Sequence, residues 1–142
     1  MGRLYMKGKL VEKLANRGCI TIHKGALISE LIDLLSSNNI GAAVVVDKEK
    51  NAIGMVSERD IVKNYNDNFK NIEDIMSTNI INCDLSFSSS ELMELMNKKK
   101  IRHIPIIEKD KLLGIVSIGD VVKRLIEIYE TENLNLKNYI NS

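Results

Sequence analysis

Two short stretches decide how this chain folds: Gly54-Met55-Val56-Ser57-Glu58-Arg59-Asp60 and Gly114-Ile115-Val116-Ser117-Ile118-Gly119-Asp120. They lie 60 residues apart and read alike, with a glycine inside an apolar run, then Val-Ser, then an Asp three residues on. Working outward, Val62-Lys63 meets Val122-Lys123 at the same spacing. Upstream, past a one-residue difference in the turn near Lys50, a shift of 61 sets Ile20 on Ile81, Ser29-Glu30-Leu31 on Ser90-Glu91-Leu92, Leu34 on Leu95 and Ile40 on Ile101. So many coincidences in one register mark a tandem duplication, which fixes architecture more firmly than local propensity does.

Each repeat reads in the same order. A short apolar run, Cys19 to Ile22 or Ile80 to Cys83, is long enough for one brief strand. An amphipathic helix follows: Leu27, Ile28, Leu31, Ile32, Leu34 and Leu35 form the stripe in repeat one, and Leu92, Met93, Leu95 and Met96 in repeat two. Ser88 and Glu91 fit a capping box at the start of the second of these helices. Two further apolar runs come next, Ala42 to Val46 and Ala52 to Val56, joined by the polar turn Asp47 to Asn51. Their counterparts are Ile104 to Ile107 and Leu112 to Val116. Such continuous runs suit strands covered by helices. A last helix starts near Ser57 or Ser117. The order β-α-β-β-α, twice over, predicts an α/β (α+β) fold with helices covering small sheets.

The boundaries follow as an N-terminal extension over 1–18 with a short helix around Leu10, Val11 and Leu14, repeat one over 19–65, and a linker over 66–79 that begins in the polar stretch Asn64 to Asn71. Repeat two covers 80–130, and the last helix runs on into an Asn-rich tail over 131–142. A chain of 142 residues buries enough surface to need no metal or disulfide staple. With 20 Lys and Arg against 19 Asp and Glu, its net charge of +1 argues against a protein held to nucleic acid by phosphate contacts. The absence of Trp and an aromatic content of 4% also weaken any base-stacking platform. No run of 18 apolar residues spans a membrane, and the start carries no signal-peptide segment, so a cytoplasmic location is expected. Gly2 lacks the Ser or Thr that myristoylation asks for, since Lys7 stands at that place. Cys19 and Cys83 are too few for a disulfide framework and are expected as reduced thiols in or near a core.

Ser57 to Asp60 and Ser117 to Asp120 sit where a strand turns into a helix. Free N–H groups and the helix dipole favour an anion there, and the Ser adds a hydroxyl donor. The Asp, acceptor-only when ionised, can take both hydrogens of a vicinal diol. The same residues also serve as ordinary N-caps and first-turn charges. Two copies in register tilt the balance toward binding.

These strings, with Arg102-His103-Ile104-Pro105-Ile106 and the duplicated element order, resemble the CBS (cystathionine-β-synthase) domain from about Val11 to Tyr129. The chain is similar to the stand-alone paired-CBS proteins, or Bateman modules, of bacteria. The resemblance implies two repeats packed pseudo-symmetrically about a cleft that holds an adenine nucleotide: AMP, ADP, ATP, S-adenosylmethionine or NAD(H). It implies Asp60 and Asp120 on ribose hydroxyls, Ser57 and Ser117 near the sugar-phosphate, and Thr21 and Asn82 near adenine. The segment before the second strand is implied to add apolar and phosphate contacts, from Gly41, Ala42 and Ala43 in repeat one and Arg102, His103, Ile104 and Pro105 in repeat two. Arg59 and Gly119, inside the two turn strings, complete the implied ligand set. Repeat one lacks the family's basic and Pro residues, and Asn82 replaces the commoner Thr. Two unequal sites are therefore expected, with the better phosphate ligands from Arg59, Arg102 and His103.

Other chemistry finds little support. His23 and His103 are isolated, without HExxH, CxxC or carboxylate clusters, so no metal site is expected. Neither cysteine pairs visibly with a histidine, so nucleophilic catalysis and an enzyme are not expected. Lys98-Lys99-Lys100 with Arg102 reads as a solvated helix C-terminus, with which a phosphate-attracting role for the same charges is compatible. Met55, Met76, Met93 and Met96 read as core filler, and Ser86, Ser88, Ser89 and Ser90 as cap and loop residues. Two functions follow. One is a non-catalytic nucleotide sensor, homodimeric through helix faces around Ile61-Val62 and Val121 to Tyr129, that acts on an effector protein the sequence does not identify. The other is a ligand-free structural or dimerisation module.

Overall fold

The structure, a computed structural model, describes residues 9–141. Helix α1 spans Lys9–Arg17, and the first repeat then supplies β1 (Thr21–His23), α2 (Ile28–Asn38), β2 (Ala42–Val46), β3 (Ala52–Ser57) and α3 (Glu58–Lys63). A 3₁₀ turn, Ile72–Asp74, leads to the second repeat: α4 (Ser89–Lys99), β4 (His103–Glu108), β5 (Lys111–Ser117) and α5 (Ile118–Asn141). The expected α+β architecture is what the chain adopts. Its last helix continues unbroken through the Asn-rich stretch that the sequence reads as a tail.

The duplication extends to single hydrogen bonds. Helices α2 and α4 both end on a left-handed residue, Asn39 with φ 52° and Lys100 with φ 56°. The following amide then turns back in both, Ile40 N–H to the Leu35 carbonyl and Ile101 N–H to that of Met96, at 3.1 Å each. Ser88 caps α4 by the expected box, its hydroxyl accepting from the Glu91 amide while Glu91 accepts from the Ser88 amide. Strand β2 is central, parallel to β1 and antiparallel to β3, and it is buried along its whole length, as its unbroken Ala-Ala-Val-Val-Val run requires. Both hairpins carry a register shift at the same place, between Val45 and Val46 and between Ile106 and Ile107.

The run Ile80 to Cys83 corrects the expectation of a strand. It contributes one parallel bridge, Cys83 to Ile106, in which the Cys83 amide bonds the Pro105 carbonyl at 3.0 Å and the Ile107 amide bonds the Cys83 carbonyl at 2.8 Å. Proline at 105, where the first repeat has Val44, has no N–H to carry the ladder back toward Ile81. On the other side, the Leu85 amide turns to the Glu108 carboxylate at 3.0 Å, whereas its counterpart Lys24 bonds a strand carbonyl, that of Val46.

The two cores exchange segments. Leu10, Val11 and Leu14 of α1 lie in the core of the second repeat with Cys83, Leu92, Met96, Ile104, Ile106, Val116 and Val121. Ile72 and Ile75 lie in the core of the first repeat with Ile22, Ala26, Leu31, Leu35, Ala43, Val45 and Val56. The 61-residue shift pairs Val11 with Ile72 and Leu14 with Ile75, so each repeat is completed by the segment that precedes the other. The linker thus does more than connect: Met55 and Ser77 exchange two backbone hydrogen bonds, of 2.9 and 2.8 Å, which ties it to β3.

Gly54 and Gly114 are the points of closest approach. A Cβ at Gly54 would stand 2.8 Å from Met76 Sδ and 2.9 Å from the Ser77 carbonyl oxygen; at Gly114 it would stand 3.0 Å from the Leu14 carbonyl oxygen. Gly54→Ala should therefore destabilise the protein by about 2 kcal/mol, and Gly114→Ala by less, in chemical denaturation. Val11→Ala, which empties part of the second core from outside the second repeat, should cost about 2 kcal/mol. An unchanged midpoint for Val11→Ala would mean that α1 is tethered to the fold without supporting it.

Candidate functional site: two clefts along the seam

The exchange sets the start of each repeat against the strand-to-helix turn of the other and opens two clefts. One, of about 500 Å³, is walled by Met55 to Asp60 and Lys63 from the first repeat and by Ser77, Asn79 to Ile81 and Lys99 to His103 from the second, with Gly41 and Ala42 at its edge. The other, of about 690 Å³, is walled by Ile115, Ser117 and Asp120 from the second repeat and by Arg17 to Ile20 and Asn39 to Ala42 from the first, with His103. Both fall within the usual range of small-ligand sites, about 300–1,000 Å³. The 61-residue shift maps the wall 18–20 onto 79–81 and the wall 39–42 onto 100–103, so the clefts are images of one another.

Each turn carries the same closed arrangement. Asp60 Oδ2 accepts from the Ser57 amide at 2.8 Å and from the Ser57 hydroxyl at 3.1 Å. Asp120 Oδ2 accepts from the Ser117 amide and hydroxyl, both at 2.9 Å. The amide of each Asp returns to the Ser oxygen, at 3.4 and 3.1 Å. The capping role and the site role thus fall on the same atoms. What differs is the second carboxylate oxygen. Asp60 Oδ1 has no protein donor among the described residues. Asp120 is met by Arg17, whose Nη1 lies 3.4 Å from Oδ1 and Nη2 3.4 Å from Oδ2, while Nη2 also donates to the Ile115 carbonyl at 3.3 Å.

Burial would raise the Asp120 carboxyl, but the Ser117 amide and hydroxyl and the Arg17 guanidinium outweigh it and hold the group below the ordinary carboxylate range. The Arg17 side chain is 53% exposed and that of Asp120 21%, so the ion pair is screened and worth no more than about 1 kcal/mol. His103 stands on both cleft walls, and Gly41 leaves room for it, since a Cβ there would approach its Cε1 to 3.4 Å. Burial lowers the His103 pKa, Glu58 and Asp120 pull against that, and Arg102 adds to the lowering, so the ring is neutral at pH 7.

The clefts differ in charge. The Asp60 cleft gathers Arg59, Lys63, Lys99, Lys100 and Arg102 against Glu58 and Asp60. In the Asp120 cleft the wall residues facing the turn are Gly18, Cys19, Ile20, Asn39, Ile40, Gly41 and Ala42, and Arg17 is its one permanent cation among the described residues. Burial pushes the Cys19 thiol up to about 11 against the pull of Arg17, and the buried Cys83 thiol is pushed up to about 12, so both stay protonated and unreactive at neutral pH. Among the described residues no group of three or more His, Cys, Asp or Glu could hold a metal ion, and no helix is long and apolar enough to cross a membrane.

Of the residues singled out in the sequence, Ser57, Arg59, Asp60, Arg102 and His103 come together in one cleft and Gly41, Ala42, Ser117 and Asp120 in the other. Thr21 and Asn82 are exposed and line neither. Ala43 and Ile104 belong to the two cores, and Pro105 is buried beside Ile104 in β4. Gly119 is exposed at the start of α5, off the cleft wall. Met55, read as core filler, lines the Asp60 cleft. Arg17, Asn39, Lys63 and Asn79 were not singled out as site residues. Arg17 and Asn79 come from the exchanged segments, and the 61-residue register gives no signal for them, since it pairs Arg17 with Thr78 and Asn79 with Gly18.

Comparison with known proteins places this geometry. The sequence model of the CBS domain matches residues 11–67 and 72–127. The Methanocaldococcus jannaschii protein MJ1404 is 32% identical over 140 residues, covering 87% of this chain, and the chain spans about a third of that relative's length. The CBS-domain containing protein ATU1752 from Agrobacterium tumefaciens superposes with a TM-score of 0.75 at 31% identity, over 82% of this chain and 90% of that one. The CBS domain pair of protein MJ0100, solved in complex with 5′-methylthioadenosine and S-adenosyl-L-methionine, superposes with a TM-score of 0.73 at 27% identity, over 80% and 94%. Both matched segments begin inside the exchanged elements, in α1 and at the 3₁₀ turn, and the chain belongs to the CBS domain family as a tandem pair.

Proposed function

We propose that this pair of CBS domains is a non-catalytic regulatory module that binds an adenosine-containing ligand, foremost an adenine nucleotide such as AMP or ATP, in the clefts along its seam. The observation that carries the reading is the Asp60 cleft. There a carboxylate with one oxygen free of donors among the described residues, suited to a ribose diol, shares the cleft wall with the five cations Arg59, Lys63, Lys99, Lys100 and Arg102, suited to phosphate. The likeness to the MJ0100 pair, solved with two adenosine derivatives, supports it. A ligand that spans two repeats binds one arrangement of them better than another, and that difference is what an effector protein would read.

A second reading, an assembly module, is favoured by the apolar side chains that α3 and α5 leave exposed, Val62, Val122, Ile126 and Tyr129. Val121, counted on that face in the sequence, is instead fully buried in the core. The two readings are compatible in one homodimer and separate on ligand response.

Calorimetric titration should detect binding of at least one of AMP, ATP, NADH, S-adenosylmethionine and 5′-methylthioadenosine. Asp60→Ala should weaken it about tenfold or more, the loss expected for hydrogen bonds to a charged acceptor. Arg102→Ala should weaken AMP and ATP and leave uncharged methylthioadenosine unchanged. A dimer indifferent to all five would reject the sensor in favour of the assembly module.

A further inference from the structure

We infer that Arg17 is a built-in competitor for the ligand of the Asp120 cleft, and that it makes the two clefts unequal in affinity. The inference rests on the adenosine-ligand reading above and assigns a specificity-determining residue to it. A diol needs carboxylate lone pairs that no protein donor already occupies. At Asp60 one oxygen is committed to Ser57 and the other meets no donor among the described residues; at Asp120 the Arg17 guanidinium reaches both, 3.4 Å from each. The position equivalent to Arg17 is Thr78, which is too short to do the same and which lies off the wall of the Asp60 cleft.

The placement of Arg17 follows from the fold. Helix α1 packs on β5, with Leu14 against Gly114, and this brings its last residue beside the Ile115 carbonyl. The chain then reverses through Gly18 at φ 86°, a conformation that favours glycine, which leaves Arg17 at the cleft mouth. Because the guanidinium is held by an exposed ion pair and one long hydrogen bond, a ribose can displace it, and the cleft is weakened without being blocked.

Adenosine, which carries no charge, is the probe, because a phosphate would attract Arg17 as well as displace it. In an Asp60→Ala background, which isolates the Asp120 cleft, Arg17→Thr should tighten adenosine binding about fivefold in calorimetry. With Arg17 present, adenosine should bind more tightly as salt rises and screens the ion pair, and that salt response should vanish in Arg17→Thr. Unchanged or weaker binding by Arg17→Thr, with the parent binding adenosine normally, would overturn the role given to Arg17 and leave the sensor reading intact. Absence of adenosine binding from the parent, from Arg17→Thr and from both in the Asp60→Ala background, together with indifference to the charged nucleotides, would reject both.

Discussion

Everything in this fold depends on one packing constraint: neither repeat can close its own core. The second repeat lacks a full three-stranded sheet and takes Leu10, Val11 and Leu14 from the far end of the chain. The first takes Ile72 and Ile75 from the segment that leads away from it. The exchange explains residues that otherwise look incidental. Gly54 and Gly114 are bare because a foreign backbone passes over them, and the linker is apolar at 72, 75 and 76 because it is interior. It also creates the clefts, since the segment that enters each repeat must pass the strand-to-helix turn of the other.

The pseudo-symmetry is close in backbone and loose in charge, and the functional interest lies in that difference. Backbone bonds such as Glu58 amide to Gly41 carbonyl and Ile118 amide to Arg102 carbonyl recur at 2.9 and 2.8 Å. At the same positions the side chains part company: Gly41 and Ala42 face one turn where Arg102 and His103 face the other. A duplicated scaffold can therefore keep its geometry while each cleft specialises. His103 belongs to both clefts, so occupants of the two would lie within reach of the same ring.

Much of this was legible in the residues. The repeat, the element order, the caps at Ser57, Ser88 and Ser117 and the turn residue Asp60 follow from register and turn chemistry, which are local, whereas Arg102 and His103 were reached through the resemblance to the CBS domain. What escaped was non-local or fine-grained. The strand expected at Ile80 to Cys83 fails on a single missing N–H at Pro105, a residue on another strand. Helix α1 shows its apolar stripe plainly, but nothing in Leu10 or Val11 says which core it enters. Thr21 and Asn82 were placed in the site by likeness and are exposed outside both clefts, whereas Arg17 reaches Asp120 across 103 positions of sequence. Long-range partners are where a one-dimensional pattern carries least.

The mutual completion of the cores has a consequence for how such a protein could arise. A single β-α-β-β-α unit with its leading helix would present an unfilled core and an unplaced helix, each the complement of the other. Two identical copies would satisfy both by reciprocal docking about a twofold axis, so a one-repeat forerunner would have been an obligate dimer whose folding depended on concentration. Fusion of two genes would remove that dependence and free the two halves to diverge. Asp60 beside its cations and Asp120 beside Arg17 are what such divergence looks like once the halves no longer have to be identical.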